Sequence, residues 1–105
     1  MFSKVDKTIE DKITLPVNYD NLNQRLRRVI RLQYIEEQNN LCYYCKKPLS
    51  NGPSKEVGDK KITESLFPPA FFMHPVHLHH SHDTGMTIGA VHAYCNAVLW
   101  EYEGE

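Results

Sequence analysis

Two short stretches, Cys42-Tyr-Tyr-Cys45 and His92-Ala-Tyr-Cys95, constrain this chain more than any other feature. Each separates two metal-ligating side chains by a two-residue gap, the spacing at which residues on a tight turn or a helix start converge on one ion. The chain has 105 residues, and a chain of that size buries only about 60–70% of its unfolded surface. A metal that ties distant segments together therefore has much to contribute. The cysteines number three, an odd count, and the N-terminus has no apolar run behind its positive charges. A secreted disulfide scaffold is disfavoured on both grounds, and a reducing cytoplasm is the expected compartment. A redox Cys-x-x-Cys is the competing reading of the first pair, but no βαβ pattern surrounds it. Taken singly, Cys95 reads as a small buried hydrophobe and His92 as a core histidine. Taken together, the pairs predict a structural zinc site made of Cys42, Cys45, His92 and Cys95.

The rest of the chain organises around these pairs as one domain over 1–105. Residues 1–17 read as an arm or short helix, with Val5, Ile9 and Ile13 four apart and Pro16 as a break. From Asp20 to Asn39, Leu22, Leu26, Ile30 and Tyr34 recur every four residues, flanked by Val29 and Ile35. That period predicts an amphipathic helix over 20–39, with Asp20 or Asn21 as its N-cap. Residues 46–61 are loop-like, and the whole of 46–74 reads as an insertion; its apolar but proline-broken run, 66–73, covers either a core or a partner surface. In the last third, 75–82 reads as a strand, 83–85 as a turn, 86–91 as a returning strand and 93–100 as a short helix. The expected class is α+β, with an N-terminal helix and a zinc-stapled hairpin-plus-helix core. The net charge of −1 is silent about an anionic partner, and neither uncharged stretch, 65–82 or 84–100, reads as a membrane span.

Within this frame the run His77-Leu-His-His-Ser-His82 crowds four of the six histidines together. Side chains alternate on a strand, so His77 and His79 share one face while His80 and His82 share the other. Adjacent His79 and His80 therefore diverge. That is poor geometry for storing one metal ion, whose ligands must converge. It suits phosphodiester cleavage, where one histidine can hold a metal near the leaving oxygen while its neighbour activates water on the far side.

The ordered elements Gln38-Asn-Asn-Leu-Cys42, Cys42-Tyr-Tyr-Cys45, His77-Leu-His-His-Ser-His-Asp-Thr-Gly85 and His92-Ala-Tyr-Cys-Asn96 resemble the HNH (His-Me finger, ββα-metal) endonucleases. The nearest likeness is to the phage recombination endonuclease VII type, and it covers about residues 30–102. The resemblance implies a metal-dependent DNA endonuclease with a ββα-metal core and 5′-phosphate products. It assigns His80 as general base and His79 and Asn96 as ligands of a catalytic divalent ion, with His82 assisting. His79 stands where the family usually has an aspartate. Imidazole widens the expected ion from Mg²⁺ to Mn²⁺ or Ni²⁺. The second strand lacks the arginine common there in relatives, so phosphate contacts fall to other residues. Pairing of related enzymes leaves a homodimer open.

Arg25, Arg27, Arg28 and Arg31 place four arginines in seven residues of the predicted helix. They read either as a solvated face or as contacts to DNA phosphates. Two rivals to the enzyme remain: a non-catalytic zinc module that binds DNA or a protein, and a metal-sensing protein built on the histidine run.

Overall fold

The computed structural model describes residues 13–104, so the readings made on 1–12, including Val5 and Ile9, lie outside it. The predicted long helix is present as α1, Gln24–Glu37. Its N-cap is Asn23, whose side chain accepts from the Leu26 N–H at 2.8 Å, and neither Asp20 nor Asn21 fills that role. The reason is local competition between short polar side chains. Asn18 caps first, accepting from the Asp20 N–H at 2.9 Å, and the chain makes a single 3₁₀ turn over Tyr19–Asn21 before α1 begins. At the other end Asn39 and Asn40 take left-handed φ values of 57° and 63°, which asparagine tolerates better than most residues.

The apolar stripe of α1 buries Ile30 and Tyr34 and half-buries Ile35 against the core, and Leu22, which precedes the helix, is half-buried with them. Val29, expected to flank that stripe, is exposed. The buried polar residue on this face is Gln33, which the apolar period did not mark. Its amide pairs both ways with the backbone of Ile13, donating to the carbonyl at 2.6 Å and accepting from the N–H at 3.1 Å.

The predicted hairpin is present as β1, Val76–His80, paired antiparallel with β2, Thr87–His92. His77 lies opposite Val91 and His79 opposite Gly89, while His80 pairs with Thr87 across a bulge that leaves Ile88 as the extra residue. Between the strands, Ser81 donates to the Met86 carbonyl and Gly85 to that of Ser81, with Gly85 at the positive φ of 79° that this turn requires. The final helix, Ala93–Glu103, follows β2 without a break.

Two strands alone leave edges open, and the far edge of β2 is closed by separate segments. The Tyr43 N–H donates to the Ala90 carbonyl at 2.9 Å. The Gln38 amide accepts from the Ala90 N–H and donates to the Ala90 carbonyl, both at 2.9 Å. Thr87 and Val17 complete the edge through backbone and hydroxyl bonds of 2.8 and 3.0 Å. Gly89 makes this closure possible: a Cβ there would lie 2.7 Å from Gln38 Oε1 and 3.1 Å from the Tyr43 side chain.

Residues 46–61, expected as loop, contain one turn of helix over Lys55–Gly58, capped by Ser54 and holding Val57 in the core. The rest of the insertion crosses the final helix in two 3₁₀ turns, Glu64–Leu66 and Pro69–Met73. Thr63 donates to both carboxylate oxygens of Glu101 at 2.8 and 2.9 Å, and the hydroxyls of Tyr94 and Tyr102 reach the carbonyls of Lys60 and Lys61. Phe67 packs edge-on to Trp100 at 5.4 Å, so the apolar run covers part of this helix while Leu66, Phe72 and Met73 stay exposed. The result is a small α+β structure with its core between α1, the hairpin and the final helix. No helix among the described residues is long and apolar enough to cross a membrane. Among the described residues the α-helices, in chain order, are α1, α2 (Lys55–Gly58) and α3 (Ala93–Glu103).

Candidate functional site

Cys42, Cys45, His92 and Cys95 converge as their spacing predicted, with all four ligand atoms within 4.8 Å of one another. The first pair lies on a tight knuckle after α1, closed by Cys42 N–H to Lys47 carbonyl and Lys46 N–H to Cys42 carbonyl bonds. The second pair spans the junction of β2 and α3, with His92 as the residue that caps the helix. His92 Nδ1 is 3.4 Å from Cys45 Sγ and 3.6 Å from Cys95 Sγ. Tetrahedral zinc, with Zn–S about 2.3 Å and Zn–N about 2.0–2.1 Å, requires a sulfur–nitrogen edge of about 3.5 Å. The donor set also has its outer support. His92 Nε2 lies 2.9 Å from the Pro48 carbonyl, which can only accept, so Nε2 carries the proton and Nδ1 turns its lone pair to the sulfurs. These four residues form a site that can hold zinc.

The thiols are prepared unequally. A hydrogen bond from the Cys95 thiol, helped by backbone N–H groups of Cys45, His92 and Tyr44, lowers the Cys42 pKa to about 4 against the effect of burial. Cys95, which supplies that proton while buried beside the other two sulfurs, has its pKa pushed far up. Metal binding must therefore displace the shared proton.

The histidine run behaves in the opposite way. Among the described residues, no other group of His, Cys, Asp or Glu gathers as these four do. His79 is buried, at 3% exposure, while half-buried His80 lines a polar cavity of about 260 Å³ with Asp20, Ser81, His82, Asp83, Thr84 and Gly85. β1 stops at His80, so His82 belongs to the turn, yet its ring still meets the His80 ring edge-on at 5.2 Å. Burial lowers the His80 pKa, the charges of His82 and His79 add to that, and the Leu78 carbonyl and Asp20 oppose it. Burial thus favours the neutral form of the His80 imidazole.

His77 takes a larger part than the sequence indicated. Its Nε2 lies 2.7 Å from the Phe71 carbonyl and therefore donates; its Nδ1 then accepts from Asn96 Nδ2 at 3.1 Å. Burial favours the neutral ring that this pattern requires, and the nearby charge of Arg31 acts in the same direction. The chain from Phe71 through His77 orients the Asn96 amide with its nitrogen toward β1. Asn96 Oδ1 is left without a hydrogen bond among the described residues. The available signal was positional: His77 shares the strand face of His79, and Asn96 directly follows a zinc ligand.

The four arginines separate. Arg25 and Arg28 are exposed, Arg31 is half-buried near His77, and Arg27 is turned against Tyr19. Comparison with protein-family models, with curated proteins and with solved structures gave no match for this chain.

Proposed function

We propose that this chain is a metal-dependent DNA endonuclease in which the hairpin and α3 make a zinc-pinned ββα-metal core. The observation that carries this reading is the divergence of His79 and His80: one imidazole is buried, and its neighbour opens on a polar cavity. A store or sensor of metal needs converging rings, which this strand lacks.

Neutral His80 takes a proton from a water in the cavity as that water attacks phosphorus. The bond from phosphorus to the 3′-oxygen breaks, that oxygen gains a proton from solvent, and the 5′-phosphate remains on the other fragment. His79 and Asn96 Oδ1 are the residues that would hold Mg²⁺, Mn²⁺ or Ni²⁺, an ion that supplies positive charge to the phosphate and the leaving oxygen. One imidazole and one amide oxygen make a weak donor set, suited to an ion completed by water and phosphate. His77 supports it by engaging the Asn96 amide nitrogen, which leaves the amide oxygen for an ion. Exposed Arg25 and Arg28, with half-buried Arg31, offer cations to the DNA backbone along α1.

The test is incubation of supercoiled plasmid with the zinc-loaded protein and Mg²⁺, Mn²⁺ or Ni²⁺, with EDTA and His80→Ala as controls. Metal-dependent nicking that the variant loses supports the enzyme. A folded, zinc-loaded protein that binds plasmid but nicks it with none of the three ions is instead a non-catalytic DNA-binding module.

A further inference from the structure

A general base usually owes its orientation to a second group hydrogen-bonded to the other ring nitrogen. His80 departs from that arrangement. Its Nδ1 is buried and has no hydrogen-bond partner of normal geometry. The Leu78 carbonyl is close enough to act on the ring's charge, but it does not complete such a bond. Something else must hold the ring.

The group in place is Tyr19. Its ring lies on the His80 ring with centroids 3.7 Å apart and planes only 6° from parallel. The Tyr19 backbone is itself secured, donating its N–H to the Gly85 carbonyl at 2.7 Å in the turn that follows His80. Next to it, Asn18 bridges to Met86 at the mouth of β2. Arg27 supports the tyrosine from α1: its guanidinium carbon is 3.9 Å from the Tyr19 ring centroid, and its Nη2 donates to the Tyr19 carbonyl at 3.3 Å. Arg27, Tyr19 and His80 thus form a chain of contacts from α1 to the cavity. An imidazole stacked on an aromatic face keeps its plane at little cost in hydrogen bonds.

We infer that Tyr19, backed by Arg27, is the positioning residue for His80, setting the imidazole plane by stacking where other bases use a hydrogen bond. This rests on the reading of His80 as the base. It gives the 3₁₀ turn ahead of α1 a function, and it takes Arg27 out of the set of arginines that meet DNA. Stacking, not the phenol hydroxyl, is the active property, so phenylalanine should replace tyrosine and an aliphatic residue of similar bulk should not.

The experiment compares wild type, Tyr19→Phe and Tyr19→Leu, each checked for one zinc per chain and for its melting temperature. The first readout is steady-state nicking of plasmid. Tyr19→Phe is expected to stay within about twofold of wild type. Tyr19→Leu is expected to lose about 10²-fold in kcat, the scale of a small misplacement of a reacting group, with KM little changed. The second readout is the NMR shift of the His80 ring protons, which the tyrosine face moves upfield. Tyr19→Phe should keep that shift and Tyr19→Leu should lose it. Full activity in Tyr19→Leu, or equal losses in both variants, overturns the inference. If wild type does not nick DNA, the base assignment falls by itself. The ring shift then decides separately whether Tyr19 holds His80, and an unshifted wild-type ring overturns that too.

Discussion

The Cys₃His cluster and the histidine strand both carry metal-ligating side chains, arranged for opposite geometrical ends. In the cluster, four donors from two distant segments point inward, and Cys42 and Cys95 are fully buried. On β1, neighbouring imidazoles turn apart, each with its own contacts: His77 with Asn96 and Phe71, His80 with Tyr19 and His82. Convergence produces a site whose donors can share one ion. Divergence produces positions that differ in exposure and partner, and so can differ in task. The two regions are joined at Gly89, which lies opposite His79 in the hairpin and under Tyr43 of the Cys42–Cys45 knuckle.

Removing one ligand from the cluster should have the largest effect. Structural zinc in small domains contributes about 10–16 kcal/mol, as much as the ~5–15 kcal/mol that keeps a domain folded. Cys95→Ser is therefore expected to lose its zinc and its cooperative thermal transition at 25 °C, measured by metal content and circular dichroism. A folded Cys95→Ser protein would show that the cluster is not the staple. His80→Ala should do the reverse. Zinc content and melting temperature should stay near wild type, while nicking falls by about 10²- to 10⁴-fold, the usual weight of a general base. If both variants simply unfolded, the two regions would not be separable and the comparison would fail.

Much of this contrast could be read in the sequence, and the remainder could not for definite reasons. Two matching two-residue gaps were enough to gather Cys42, Cys45, His92 and Cys95, because ligand spacing is a local property. Strand alternation was enough to part His79 from His80. Helix α1 showed in its four-residue period, but its start did not, since Asn18, Asp20, Asn21 and Asn23 all offer a cap and compete locally for the role. Tyr19 carried no local sign of the His80 ring. Nor did Gln33 and Gln38 announce that their amides would pair with backbone as an extra strand does. Contacts of this kind depend on which distant segment arrives, and residue type alone does not specify that.

Gly89→Ala probes the link between the two regions. The added methyl would meet Gln38 Oε1 at 2.7 Å and Tyr43 carbons at 3.1 Å, and the bonds both residues make to Ala90 leave little room to retreat. Overpacking of this kind costs about 1–3 kcal/mol. The melting temperature should fall accordingly, with zinc still bound, and nicking should fall with it because the knuckle is pushed off the strand opposite His79. Unchanged stability would mean that the knuckle and the histidine strand are mechanically independent.

The smallest effect belongs to His82, and it tests whether the divergent strand really assigns separate roles. His80 must be neutral to accept a proton, so nicking falls as pH drops through its folded pKa. Burial first, and then the charges of His82 and His79, hold that pKa below its usual 6.5. The wild-type acid limb should therefore lie below pH 6.5. His82→Ala removes one opposing charge and exposes the edge of the His80 ring, and both changes raise the His80 pKa. The acid limb of the rate profile should move up toward 6.5 while the plateau near pH 8 changes little. A plateau that collapses would make His82 a participant in the chemistry, whereas a limb that stays put would remove it from the site. A shift of the limb alone identifies His82 as a neighbour that, beside burial, helps keep the base unprotonated.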